Sequence, residues 1–140
     1  MINSLKIKKV IDKMIAFCLT KGVQPDELVT AIFENEYDSI ETLKKNNYID
    51  VIVTYRDYEE HGESIIKMKY IYNADRQLLR IEQKINTSNY RVQWDRETAL
   101  ELILKELWEI SGSKQSISLI KNQIPIELRG IIYPKLKLAC

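Results

Sequence analysis

Alternation of apolar and polar residues at every second position runs through residues 48–94, and it constrains the fold of this chain more than any other feature. Three runs carry it, Ile49–Tyr58, Ser64–Tyr72 and Leu78–Ile85, and a fourth follows at Tyr90–Trp94. A period of two gives each strand one buried and one open face. The polar breaks between runs are too short for a crossover connection, so neighbouring strands must be antiparallel. His61-Gly62 and Asn73-Ala74-Asp75 supply turn chemistry between them. The expected buried face carries Ile49, Val51, Val53 and Tyr55, then Ile66, Met68, Tyr70 and Tyr72, then Leu79, Ile81 and Ile85, and finally Tyr90, Val92 and Trp94.

Helical spacing flanks this meander on both sides. Ile7, Ile11, Met14, Ile15 and Cys18 recur at steps of three and four in a helix over about residues 4–20, which Lys21-Gly22 ends. A second helix starts at Pro25, with Asp26 and Glu27 at the positive end of its dipole and Leu28, Ala31 and Ile32 on its buried side. A short third helix is predicted from Asp38 or Ser39 to Lys45, burying Ile40 and Leu43 and ended by Asn46-Asn47. After the meander, Asp95 caps a helix over about residues 96–110 whose stripe is Leu100, Ile103, Leu104 and Leu107, with Trp108 on the flank. Ser111-Gly112-Ser113 stops it, a shorter helix passes through Ile117 and Ile120, and Pro125 and Pro134 break the remainder. The expected class is therefore α+β: N-terminal helices, a three- to four-stranded antiparallel meander, then C-terminal helices. At 140 residues this reads as a single domain, 1–140, with the buried sheet face packed on the stripe that includes Leu100, Leu104 and Leu107.

Several chemistries lack the residues they need. His61 is the only histidine and sits in a turn, so it is the one base a serine or cysteine nucleophile could use. Glu59, Glu60, His61 and Glu63 read as a solvated acidic turn, because a zinc site asks for more nitrogen or sulfur ligands. The four glycines are scattered singly, which leaves no phosphate-cradling loop and no dinucleotide fingerprint. No catalytic residue, cofactor or metal is assigned, and the chain is read as a non-enzyme. No apolar stretch is long enough for a membrane span, the N-terminus interleaves lysines with its apolar residues unlike a signal peptide, and Cys18 and Cys140 make no disulfide framework. A cytoplasmic location is the expectation, with Cys18 as a buried thiol. Isoleucine outnumbers valine by 21 to 6, which hints at an AT-rich, bacterial genome.

Strand parity puts Arg56, Lys67, Lys69, Arg80, Lys84 and Arg91 on the outer sheet face, with Asp50 and Glu82 as its acids and Tyr58, Ile52, Ile65 and Ile71 between them. Basic strands with exposed aromatics can track a phosphate backbone. They also serve as solvated strands that resist edge pairing, or as a face covered by a partner. The order of second helix, turn, third helix and hairpin resembles a winged helix over about residues 5–72, with Leu43-Lys44-Lys45-Asn46-Asn47-Tyr48-Ile49 as the exit from a recognition helix into a wing. That resemblance implies a nucleic-acid-binding regulator. Asp38 and Glu41 oppose it, because they would sit in the turn that approaches the phosphates. Net charge is +1, so no global field draws nucleic acid. The favoured reading is a small intracellular binding or accessory protein, of immunity or adaptor type, acting through a protein surface. A homodimer is expected from the apolar stretch Met14–Leu19, from Trp108 and from the tail at 131–138.

Overall fold

The computed structural model describes residues 4–60, 62–111 and 120–139. Expectations placed on His61, on residues 112–119 and on Cys140 lie outside the described residues. The chain is mixed α+β and divides into two compact units, Met1–Thr20 with Glu97–Cys140, and Lys21–Arg96.

In the helical unit, α1 (Ser4–Leu19), α3 (Arg96–Ser111) and α4 (Ile126–Ala139) share one core. Ile7, Val10, Ile11 and Met14 of α1 meet Leu100, Ile103, Leu104 and Leu107 of α3, joined by Ile120, Ile124, Leu128 and Ile132. Both three-four stripes read from the sequence thus face a core, here one formed among the helices. Trp108 packs at the margin, and Cys18 is half-buried rather than buried. Lys13–Glu106 (3.2 Å) and Lys135–Glu97 (3.0 Å) span the helices outside this core. Pro134 does not end its helix: α4 continues through it to Ala139, without the amide donor that Gly130 would otherwise meet.

The sheet unit holds five strands in the order β1-β2-β3-β4-β5, all antiparallel. They are β1 (Tyr37–Lys45), β2 (Tyr48–Glu59), β3 (Gly62–Asn73), β4 (Leu78–Ile85) and β5 (Arg91–Asp95). The three- to four-stranded expectation fails at β1, where a third helix was predicted. Lys45 pairs with Tyr48, so Asn46-Asn47 is a two-residue hairpin turn and not a helix end. Asn46 takes φ +53°, the left-handed conformation this turn needs and asparagine tolerates. The recognition helix of the winged-helix order is therefore a strand.

The sheet has its own core, and Leu100, Leu104 and Leu107 are not part of it. Val51, Val53, Tyr72 and Leu78 are buried, with Val23, Leu28, Ile40, Tyr70, Ile81 and Trp94 packed around them. The segment that supplies Val23 and Leu28 contains α2 (Pro25–Val29) and a single 3-10 turn, Thr30–Phe33. Of its expected buried residues, Leu28 and Ala31 are half-buried and Ile32 is exposed. Tyr72 Oη donates to the Val23 carbonyl at 2.6 Å. Leu78 N–H donates to the Lys21 carbonyl at 2.7 Å, and Arg96 Nε to the Leu78 carbonyl at 2.6 Å. Gly22 makes this approach possible. Its φ is +91°, and a Cβ there would lie 2.9 Å from Leu78 Cβ. A bulge at the start of β4 pairs Tyr72 with Leu78 and Ile71 with Arg80, so Leu78 and not Leu79 enters the core.

Candidate functional site

The outer sheet face is built in rungs, because residues paired across antiparallel strands project to the same side. From the β2–β3 hairpin inward, the register gives Tyr58 beside Glu63, then Arg56 beside Ile65, then Ser39, Thr54, Lys67 and Lys84. The next rung holds Glu41, Ile52, Lys69, Glu82 and Val92, and the one after it Leu43, Asp50, Ile71, Arg80 and Asp95. Lys45 and Tyr48 close the far end. Five of the six bases assigned from parity, Arg56, Lys67, Lys69, Arg80 and Lys84, stand together here with Tyr58. Arg91 does not join them. A register shift in β5 pairs Val92 with Glu82 and Arg91 with Gln83, which places Arg91 on the side of Met68 and Val53.

Acids offset most of this positive charge. Arg56 Nε lies 3.0 Å from Asp38 Oδ1 and 3.7 Å from Glu63 Oε1. The first contact is an ion pair without hydrogen-bond geometry, since that nitrogen is shut off from solvent and has no hydrogen-bond partner. Arg80 donates to Asp95 at 3.0 Å and stands 3.5 Å from Glu82, contacts that raise its pKa further, led by the Asp95 hydrogen bond. Lys69 is 4.0 Å from Glu82. Asp50 is only 6% exposed and has Lys45 Nζ at 3.7 Å. Burial of a carboxylate is costly without such a partner. Lys67 and Lys84 differ from the other bases: they stand directly opposite each other on β3 and β4, and neither makes an ion pair among the described residues.

Tyr90 was expected on the buried face. It precedes β5, and its ring instead lies on the outer face, with Lys69 Nζ 4.1 Å and Lys84 Nζ 5.8 Å from its centre. Asn86 fixes the start of this loop, donating its amide to the Ile65 carbonyl and accepting from Ile65 N–H, both at 2.8 Å. The Tyr90 hydroxyl has a raised pKa, first through burial and then through the negative charges of Glu82, Glu41 and Asp50. Leu43, Tyr48, Tyr58, Ile65 and Val92 leave apolar surface exposed on the same face.

The acids Asp38, Glu41, Glu63 and Asp95 were missed in the sequence. Asp38 and Glu41 lay in a segment read as helix, and Asp95 was assigned only as a cap. Reading Asn46-Asn47 as a hairpin turn would have found the first two. Among the described residues no group of three or more His, Cys, Asp and Glu side chains could hold a metal ion, and no helix is long and apolar enough to cross a membrane. Comparison with known proteins gives no matching family model, no matching curated protein and no matching solved structure.

Proposed function

We propose that this chain is a small, non-catalytic binding or accessory protein that acts in the cytoplasm through a protein–protein surface, the outer face of its sheet. The observation that carries this reading is the pairing of the bases with acids on the same face. Arg56, Arg80 and Lys69 already have carboxylate partners, so a phosphate backbone would have to displace them. Beside the pairs stand Tyr58, in the outermost rung at 62% exposure, and Ile65, next to Arg56 at 46%. Exposed apolar side chains next to satisfied charge suit a protein partner. An immunity-type or adaptor role in a bacterium fits by analogy of size and composition.

A two-fold homodimer belongs to the same reading. Met14 and Ile132 are spent on the helical core, so the helical stretches that suggested a dimer offer less than the sequence promised. The test compares immobilised wild type with a Tyr58→Ala, Ile65→Ser variant in extract of the native cell. A partner held by the wild type and lost by the variant is the expected result. Equal capture by both, or capture that nuclease abolishes, counts against the proposal.

A further inference from the structure

We infer that the free edge of β1 pairs antiparallel with β1 of a second copy of this chain, about a two-fold axis at Leu43, so that the two sheets continue into one. The inference rests on the homodimer of the proposed reading and gives it an interface, one that leaves the outer face of each copy open.

The strand order leaves β1 and β5 as the edges of the sheet. Strand β5 has features that keep an edge from pairing: it is short, Arg91–Asp95, and a register shift interrupts its ladder. Strand β1 is different. Over residues 39–45 it pairs with β2 without a shift, it contains no proline, and residues 41–45 are all exposed. Hairpin geometry decides which of its backbone groups are free. Lys45 and Tyr48 close a two-residue turn and exchange hydrogen bonds, as do Leu43 with Asp50 and Glu41 with Ile52 at every second residue. The N–H and C=O groups of Thr42 and Lys44 therefore point away from β2, and they meet no other backbone group among the described residues. Such an edge is a template for another strand.

The side chains select a second β1 as that strand. A two-fold axis perpendicular to an antiparallel pair sets one residue opposite its own copy. With the axis at Leu43, Glu41 of each copy stands opposite Lys45 of the other, and Thr42 opposite Lys44, whose free backbone groups bond reciprocally. Glu41, Leu43 and Lys45 share the outer face, so the acid meets the base there on both sides of Leu43, itself 45% exposed. Glu41 has no ion pair among the described residues, and Lys45, 3.7 Å from Asp50, keeps 65% of its side chain exposed for a second carboxylate. An axis at Glu41 or at Lys44 would oppose like charges, and one at Thr42 would face Glu41 with Leu43. Lysines guard many edges against pairing; here Lys45 has an acid at the symmetric position. A perpendicular axis also keeps both outer faces on one side, so the dimer presents them as a single surface.

Sedimentation equilibrium of the intact protein up to about 0.1 mM, with circular dichroism melts to confirm folding, tests this. Wild type should dimerise. Thr42→Pro removes an N–H that faces away from β2, a change an edge strand accepts, and should dissociate at least about tenfold more readily. Tyr58→Ala, Ile65→Ser leaves this edge intact and should dimerise as wild type does. Oxidative cross-linking fixes the register. Leu43→Cys sets its two copies about 4.5 Å apart at Cα and should give a dimer whose disulfide peptide mapping places at residue 43. Thr42→Cys, whose copies stand more than about 7 Å apart, should not cross-link at residue 42. If Thr42→Pro fails to fold, the cysteine pair decides. Dimerisation of Thr42→Pro as tight as wild type, cross-linking at 42 as readily as at 43, or loss of the dimer in Tyr58→Ala, Ile65→Ser overturns the inference alone. A monomeric wild type overturns the inference and the homodimer together, and leaves the outer face to a different protein.

Discussion

Removing one hydroxyl, Tyr72→Phe, tests how the segment before the sheet is held to it. Tyr72 is 1% exposed, packs with Val51, Val53 and Leu78, and donates to the Val23 carbonyl at 2.6 Å. The phenylalanine ring keeps the packing and leaves that carbonyl without its donor, a loss of about 1–3 kcal/mol near pH 7. Burial, followed by the nearby Tyr70, Glu27 and Asp26, pushes the Tyr72 pKa from 10.0 up to about 12. A pKa raised in the folded state gives stability that is fully present below the unfolded value and lost as pH climbs through the folded one. The advantage of wild type over variant should therefore shrink between pH 10 and about 12, by up to about 3 kcal/mol. Tyr70 and Tyr55, also raised mainly by burial, remain in both proteins and cancel in the difference. Urea titrations at several pH values give that difference directly. A variant as stable as wild type near pH 7, or a difference that stays constant through the window, would refute the reasoning.

In the helical unit, Leu104→Ala empties a site only 2% exposed and should cost about 2–5 kcal/mol, followed by Trp108 fluorescence during chemical unfolding. An unchanged midpoint would remove Leu104 from the core. Gly22→Ala forces a left-handed residue into contact with Leu78 and should destabilise by more than about 1 kcal/mol, seen as a lower melting temperature of the sheet unit. By contrast, Asn46→Gly should be tolerated, since glycine accepts φ +53° freely, while Asn46→Val should weaken the β1–β2 hairpin and lower the same melting temperature.

The elements legible in the sequence were those whose burial gives a clean period. Ile7, Ile11 and Met14 in α1, and Leu100, Leu104 and Leu107 in α3, have a single apolar stripe because one side faces a core. Strands β2, β3 and β4 alternate because their two faces differ. The edge strand β1 defeats this logic: its residues from Glu41 to Lys45 are all exposed, so no alternation survives, and the three-residue spacing of Ile40 and Leu43 imitates a helix. Bulges were the second source of error. One extra residue in β4 exchanges Leu78 for Leu79 in the core, and one in β5 removes Arg91 from the outer face, since a shift of one residue turns a side chain to the other side of the sheet. The basic residues of the candidate surface were legible for the same reason as their strands. Of their acidic partners Glu82 was legible too, whereas Asp38 and Asp95 were not, because they come from the strand that was misread and from a strand end.

On the proposed function, the outer sheet face is largely charge-compensated and receives protein rather than phosphate. Fluorescence anisotropy of a labelled random-sequence single strand, titrated with wild type and with Lys67→Glu, Lys84→Glu between about 50 and 200 mM salt, tests it most directly. No saturable binding by either protein is expected at any salt in that range. Binding by wild type whose logarithm falls with that of salt at a slope near about −4, as expected for roughly six phosphates neutralised on a single strand, and that the variant loses, would contradict it.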